Sequence, residues 1–327
     1  MSRTVLRLTT RLLGAALVLW AVATIVFVGI RLVPGDPALA ILGGPGSQAS
    51  AEALAAVRAE YGLDQPVLVQ YGAFLGRLVT GDFGESYVLR RPVADVIGAQ
   101  IGATLALAAA SLVVAWAIAI GLALVSTGRS RWARSIGGGI ETVAAALPQF
   151  WLASILVIVF ATGLGWLPAV ADGTPAGVVL PVLTLAIPVA GFLAQIMRES
   201  MLDALAAPFS LAARSRGESE TGLRLRHALR HAAVPGVELS AWAFGYLVSG
   251  AVVVETMFAM PGLGRTLLQA VTLRDVPLVT AVVLVVALAY LVVTFLADVA
   301  ATLIDPRRRD AETGDRPAPT PRAEVAA

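Results

Sequence analysis

Residues 96–128 read VIGAQIGATLALAAASLVVAWAIAIGLALVSTG, 33 positions without a single charge. A helix needs about 20 mostly apolar residues to cross a hydrocarbon layer about 30 Å thick. This run therefore places one membrane-crossing helix from about Gly102 to Ser126. Working outward, the pattern repeats. Leu12–Ile30 carries no charge, Gly139–Thr162 carries one acid (Glu141), and further apolar runs cover Val178–Met197, Leu239–Met257 and Leu278–Leu303. Six spans are expected in an all-α integral membrane fold. Leu12–Ile30 is 19 residues long and no clean small-x-small cleavage site follows it, so it reads as a retained anchor rather than a signal peptide.

Composition agrees. Of 327 residues, 57% are hydrophobic and 14% charged, with mean hydropathy +0.81, against about 45–50% and about 25% in soluble domains. Zero cysteines exclude a disulfide framework, thiol catalysis and thiolate-bound metal. A net charge of +2 gives no footing for nucleic acid.

All 24 basic residues are arginine, and their placement orients the spans. Seventeen fall on one side: Arg3, Arg7, Arg11, the group at 129–134, the group at 198–230, and the tail. Seven fall on the other: Arg31, Arg58, Arg77, Arg90, Arg91, Arg265 and Arg274. The arginine-rich side reads as cytoplasmic, with both termini there, and an even number of spans requires the same. The organisation expected is a cytoplasmic N-terminus and first span (1–30), an extracytoplasmic insertion (31–97), a core of five spans (98–304) and a disordered cytoplasmic tail (305–327). Within the insertion, Pro34-Gly35, Gly43-Gly44 and Gly81-Asp82 predict turns, and Leu54, Val57, Arg58 and Tyr61 predict a short surface helix over Ser50–Tyr61.

Several chemistries are excluded. A Walker A loop needs a lysine for the phosphates, and the chain has none, so it is no P-loop ATPase by itself. Gly262-Leu263-Gly264 and Gly163-Leu164-Gly165 lack the third glycine of a dinucleotide fingerprint and read as turns. His227 and His231 are four apart, a spacing zinc can use, but they are the only histidines and read as part of a solvated basic face. An ion-coupled carrier buries acids at mid-membrane. Here Glu141 and Asp298 fall near the cytoplasmic ends, where solvation or helix-end packing accounts for them. No catalytic, cofactor or metal residue is expected, and no path-lining residue stands out.

The most informative segment is the cytoplasmic loop 198–235. Pro208 suits a helix start and Gly217 a C′ position with positive φ. A second helix is expected from about Ser219, with Leu225, Ala228, Leu229 and Ala232 as its apolar stripe and Arg226, His227 and Arg230 outside it. Two helices joined by a sharp break make a protruding knob, a shape that docks into a partner's groove.

Ala212-Ala213-x-x-x-Gly217, with His227 ten residues on, resembles the EAA loop of bacterial ABC importer permeases. Leu211 stands where the general motif has Glu, and Arg230 where many members have Pro; both departures resemble the first permease of the dipeptide/oligopeptide/nickel subfamily. The likeness continues through Arg31-Leu32-Val33-Pro34-Gly35-Asp36-Pro37, Gly62-Leu63-Asp64-Gln65-Pro66, Gly81-Asp82-Phe83-Gly84, Pro148-Gln149-Phe150-Trp151, Glu255-Thr256-Met257-Phe258, Pro261-Gly262-Leu263-Gly264 and Arg274-Asp275-Val276-Pro277. The resemblance implies a type I ABC importer transmembrane domain working by alternating access. It implies as partners a second homologous permease, two ATP-binding cassette ATPase subunits and an extracytoplasmic solute-binding protein, all at the bacterial inner membrane. Leu211, Ala212, Ala213, Arg214, Arg216, Gly217 and His227 would form the ATPase-coupling loop. Di- or oligopeptides would be the solute, with nickel-chelate or glutathione-like solutes as alternatives. From another class, a secondary carrier is the rival, and it would need the mid-membrane acids that are lacking.

Overall fold

The computed structural model describes residues 3–32, 35–43, 47–128 and 130–304. The expected disordered tail 305–327, and Arg129, Pro34 and Gly44, lie outside the described residues. Among the described residues, five helices are long and apolar enough to cross a membrane: α1 (Arg3–Leu32), α5 (Val93–Ser126), α8 (Val179–Ala206), α11 (Leu229–Met257) and α13 (Val276–Ile304). Between α1 and α5 come α2 (Pro37–Ile41), α3 (Ala51–Glu60) and α4 (Val67–Val79). The surface helix expected at Ser50–Tyr61 is α3, whose N-cap Ser50 accepts the Ala53 N–H.

The third expected span is not continuous. α6 (Arg131–Ala146) and α7 (Gln149–Leu156), the latter extended by a π-helical stretch Val157–Gly163, meet at 106°. A proline ring drives the preceding residue out of the helical region, and Leu147, before Pro148, sits at ψ 122. Counting the bent pair as one crossing gives six. α5 and α11 also start earlier than hydropathy suggests, at Val93 rather than Gly102 and at Leu229 rather than Leu239. Pro235 does not break α11 but lies inside it, at the cost of one intrahelical bond.

α8 is the centre of the bundle, packing on α5, α6 and α11. In lipid, apolar burial drives helices together only weakly, and close approach of small residues substitutes for it. α5 accordingly turns Ala108, Ser111, Ala115, Ala119 and Ala123, all buried and three or four apart, toward the core. On α8, a Cβ at Gly191 would lie 2.5 Å from the Ala145 nitrogen, so glycine there sets the spacing to α6. The exposed residues of α13, among them Leu288, Val292 and Leu296, form the apolar exterior.

The two acids expected near the helix ends differ. Asp298 is half exposed and pairs with Arg11 at 3.0 Å, joining α13 to α1. Glu141 is only 1% exposed, and its nearest countercharge is Arg198 Nε at 3.7 Å, so packing holds it and solvation does not.

Two buried acids hold the end of the bundle opposite the 198–235 loop. Asp275 caps α13, accepting N–H bonds from Leu278 at 3.3 Å and from Tyr87 and Val88 at 3.2 Å, and the Ser86 hydroxyl. It thereby fastens the α1–α5 connection to the bundle. Glu255, fully buried near the end of α11, accepts the Thr104 hydroxyl at 2.6 Å and the Arg265 N–H at 2.9 Å. Thr104 in turn accepts the Leu263 N–H at 2.8 Å, so α12 (Leu263–Thr272) starts on this network. At Gly262 a Cβ would collide with the Glu255 carboxyl, and at Gly264 it would lie 2.6 Å from the Val252 backbone. Those two collisions account for both glycines of Pro261-Gly262-Leu263-Gly264.

Candidate functional site: the helical knob at 198–235

α8 ends at Ala206, and Ala207 is extended at ψ 152, which turns the chain into α9 (Pro208–Ser215) with Pro208 at its first position. Proline suits that place because its missing N–H would be unpaired there anyway. The other end closes by a Schellman arrangement: the Gly217 N–H bonds Arg214 O at 2.9 Å and the Glu218 N–H bonds Ala213 O at 3.2 Å. Gly217 has φ +84, the left-handed backbone expected of it. Ser219 then caps α10 (Glu220–Gly222) through the Gly222 N–H, and a π-helical turn over Leu223–Ala228 leads into α11.

The expected stripe of the second helix is corrected in one position. Ala228 and Ala232 are buried, but Leu225 is 48% exposed and Leu223 takes its place with no exposure. A π turn adds a residue per turn, which moves the buried position from three to five residues before Ala228.

The seven residues expected to form one contact surface divide into two sets. Leu211 (65% exposed), Ala212, Arg216 and Gly217 lie on the outside of the knob. Ala213 is 1% exposed and packs inward. Arg214 bonds Glu220 through Nε at 3.0 Å and Leu205 O through Nη1 at 3.4 Å, and His227 Nε2 lies 2.9 Å from Glu218 Oε2. These three are scaffold. His231 does not join His227; its ring stacks on Phe209 at 5.0 Å. Ser210, buried, donates to Ala204 O at 2.6 Å. The pairing residues Phe209, Ser210, Glu218 and Glu220 were not singled out in the sequence. The available signal was two acids at 218 and 220 in a segment otherwise rich in arginine.

The knob is thus a rigid unit, tied by side chains to α8 behind it and α11 ahead of it. Its exposed side chains include Leu211, Leu225 and Phe209 together with Arg216, Arg226 and Arg230.

Comparison with known proteins supplies the family. Residues 114–310 match the family described as binding-protein-dependent transport system inner membrane component, and residues 1–108 match its N-terminal companion. The glutathione transport system permease protein GsiC of Salmonella choleraesuis strain SC-B67 is 38% identical over 302 residues, covering 91% of this chain and 97% of that protein. GsiC of Escherichia coli K12 gives the same identity and coverage. Among solved structures, the MetNI methionine ABC transporter in an inward-facing conformation has a chain that superposes with TM-score 0.51 at 16% identity, covering 64% of this chain and 96% of that one, a likeness of fold. The chain belongs to the binding-protein-dependent transport system inner membrane component family and is a multi-pass permease component of a bacterial ABC importer.

Proposed function

We propose that the chain, with a second homologous permease, forms the membrane path for short peptides, including glutathione-like tripeptides, delivered by an extracytoplasmic solute-binding protein. Two ATP-binding cassette subunits dock on the 198–235 knobs from the cytoplasm, the termini lie on that side, and region 31–97 faces outward to receive the binding protein. The knob carries this reading: a self-braced pair of helices presenting Leu211 and arginines fits a shallow, acid-rimmed apolar groove. Support for the solute comes from the 38% identity to glutathione permeases, and for the orientation from the arginine split.

The test is co-purification of the ATPase subunits together with uptake of labelled peptide in cells lacking the native permease. Leu211→Asp puts a charge on the free face without touching a scaffold bond, so it should leave the permease in the membrane, release the ATPase and stop uptake. Gly217→Val should act likewise, because a non-glycine residue at positive φ costs about 1–2 kcal/mol. Normal ATPase binding by both variants would refute knob docking; normal docking without peptide uptake would refute the solute.

A further inference from the structure

α4 (Val67–Val79) is the longest helix between α1 and α5 and is apolar, with one charge, Arg77, in 13 residues. None of its residues is buried: Leu68 is 83% exposed and Val79 89%. Yet one face is fastened to α1. Phe27 packs edge-on to Tyr71 at 5.0 Å and against Phe74 at 5.2 Å. The Tyr71 hydroxyl lies 2.6 Å from Thr24 Oγ1, which itself donates to Trp20 O at 2.7 Å. Thr24 is eight residues inside the end of α1 at Leu32, about 12 Å at 1.5 Å per residue. These contacts therefore fall within the membrane-crossing part of α1.

Polar groups gather toward the end of α1. Arg31 lies over the Phe27 ring at 3.4 Å and bonds the Gln70 side chain, whose amide donates to Leu63 O and Gln65 O. The face of α4 turned away from α1 carries Leu68, Val69, Gly72, Gly76 and Val79, with no polar side chain. Both glycines look onto open space. A strip about 20 Å long with nothing polar on it is poorly suited to water, and it continues the apolar exterior of α1 at Trp20, Ile25 and Val28.

We propose that α4 lies in the surface of the bilayer, with this face among phospholipid acyl chains of the leaflet opposite the knob, as an interfacial helix. Continuity with the lipid-facing surface of α1 favours lipid over a protein partner. Arg77, in the last turn, sends its guanidinium toward Gly84 and Tyr87 and leaves the strip apolar. The helix then holds region 31–97 flat against the membrane.

Because the chain has no cysteine, single spin labels at Leu68→Cys, Gly72→Cys and Val79→Cys report unambiguously, with Glu52→Cys on the exposed face of α3 as reference. The complex is placed in phospholipid nanodiscs, and collisions with oxygen and with a water-soluble nickel chelate are compared. Burial in acyl chains predicts an oxygen-to-chelate ratio about threefold or more above the reference at all three sites. Gly72 faces open space, so its label reports even if Leu68→Cys disturbs packing. A ratio equal to the reference would overturn the proposal in favour of water, and low collision with both agents would overturn it in favour of a covering protein. Neither readout involves solute or ATPase, so failure here is separate from failure of the transport reading.

Discussion

Replacing Glu255 by alanine tests how the bundle end opposite the knob is closed. The carboxylate accepts the Thr104 hydroxyl at 2.6 Å and the Arg265 N–H at 2.9 Å, fully buried. A hydrogen bond to a charged group contributes about 1.5–3 kcal/mol, so losing two costs about 3–6 kcal/mol, concentrated where α12 begins. Only α12 and its approach need open to relieve that cost, so local opening is expected before global unfolding. Since about 1.4 kcal/mol is a factor of ten, amide exchange over 260–272 should quicken by about 100-fold or more, while α8 keeps its protection. Glu255→Gln keeps one acceptor oxygen and loses about half the effect. The assay is hydrogen–deuterium exchange with mass spectrometry on the complex in nanodiscs. Unchanged exchange at Leu263–Thr272 in Glu255→Ala would refute the idea that this carboxylate holds α12.

Cysteine at Gln48, exposed, should label from outside intact cells, and cysteine at Ser219 only after permeabilisation; Ser86, fully buried against Asp275, is unsuited to the test. Arg198→Ala leaves the Glu141 carboxylate buried without its countercharge, and should lower the detergent-solubilised melting temperature by an amount equivalent to about 1–3 kcal/mol given the partial exposure of Arg198. The double change Glu141→Gln with Arg198→Met should recover part of that loss; equal melting of Arg198→Ala and the parent would show that the pair carries no weight. Purified without partners, the permease should hydrolyse no ATP above background, measured as phosphate release.

The spans were legible because lipid imposes a length and a composition that any 20-residue window displays. The knob was legible because caps are local: Pro208, Gly217 and Ser219 act on backbone within a few residues of themselves. What stayed hidden depended on partners far along the chain. Glu255 meets Thr104 151 residues away, and Glu141 faces Arg198 from another helix, so neither acid announced its burial. The 106° bend escaped for a different reason. Pro148 was visible, but apolar residues run on through it, and hydropathy does not record direction. Leu225 was misplaced because a 3.6-residue period assumes that no turn is wider than the rest.

α11 joins the knob at one end to the α12 anchorage at the other without a break in its helix, 29 residues or about 43 Å. Such an element behaves as a lever. If α11, packed against α8 and α5, pivots at its middle, a tilt of about 10° displaces each end by about 4 Å. The displacements are opposite in sense. Motion that draws the knob inward swings Glu255, and α12 with it, outward, so the two ends of the bundle move in antiphase. A single continuous helix thus sets against both ends opening at once.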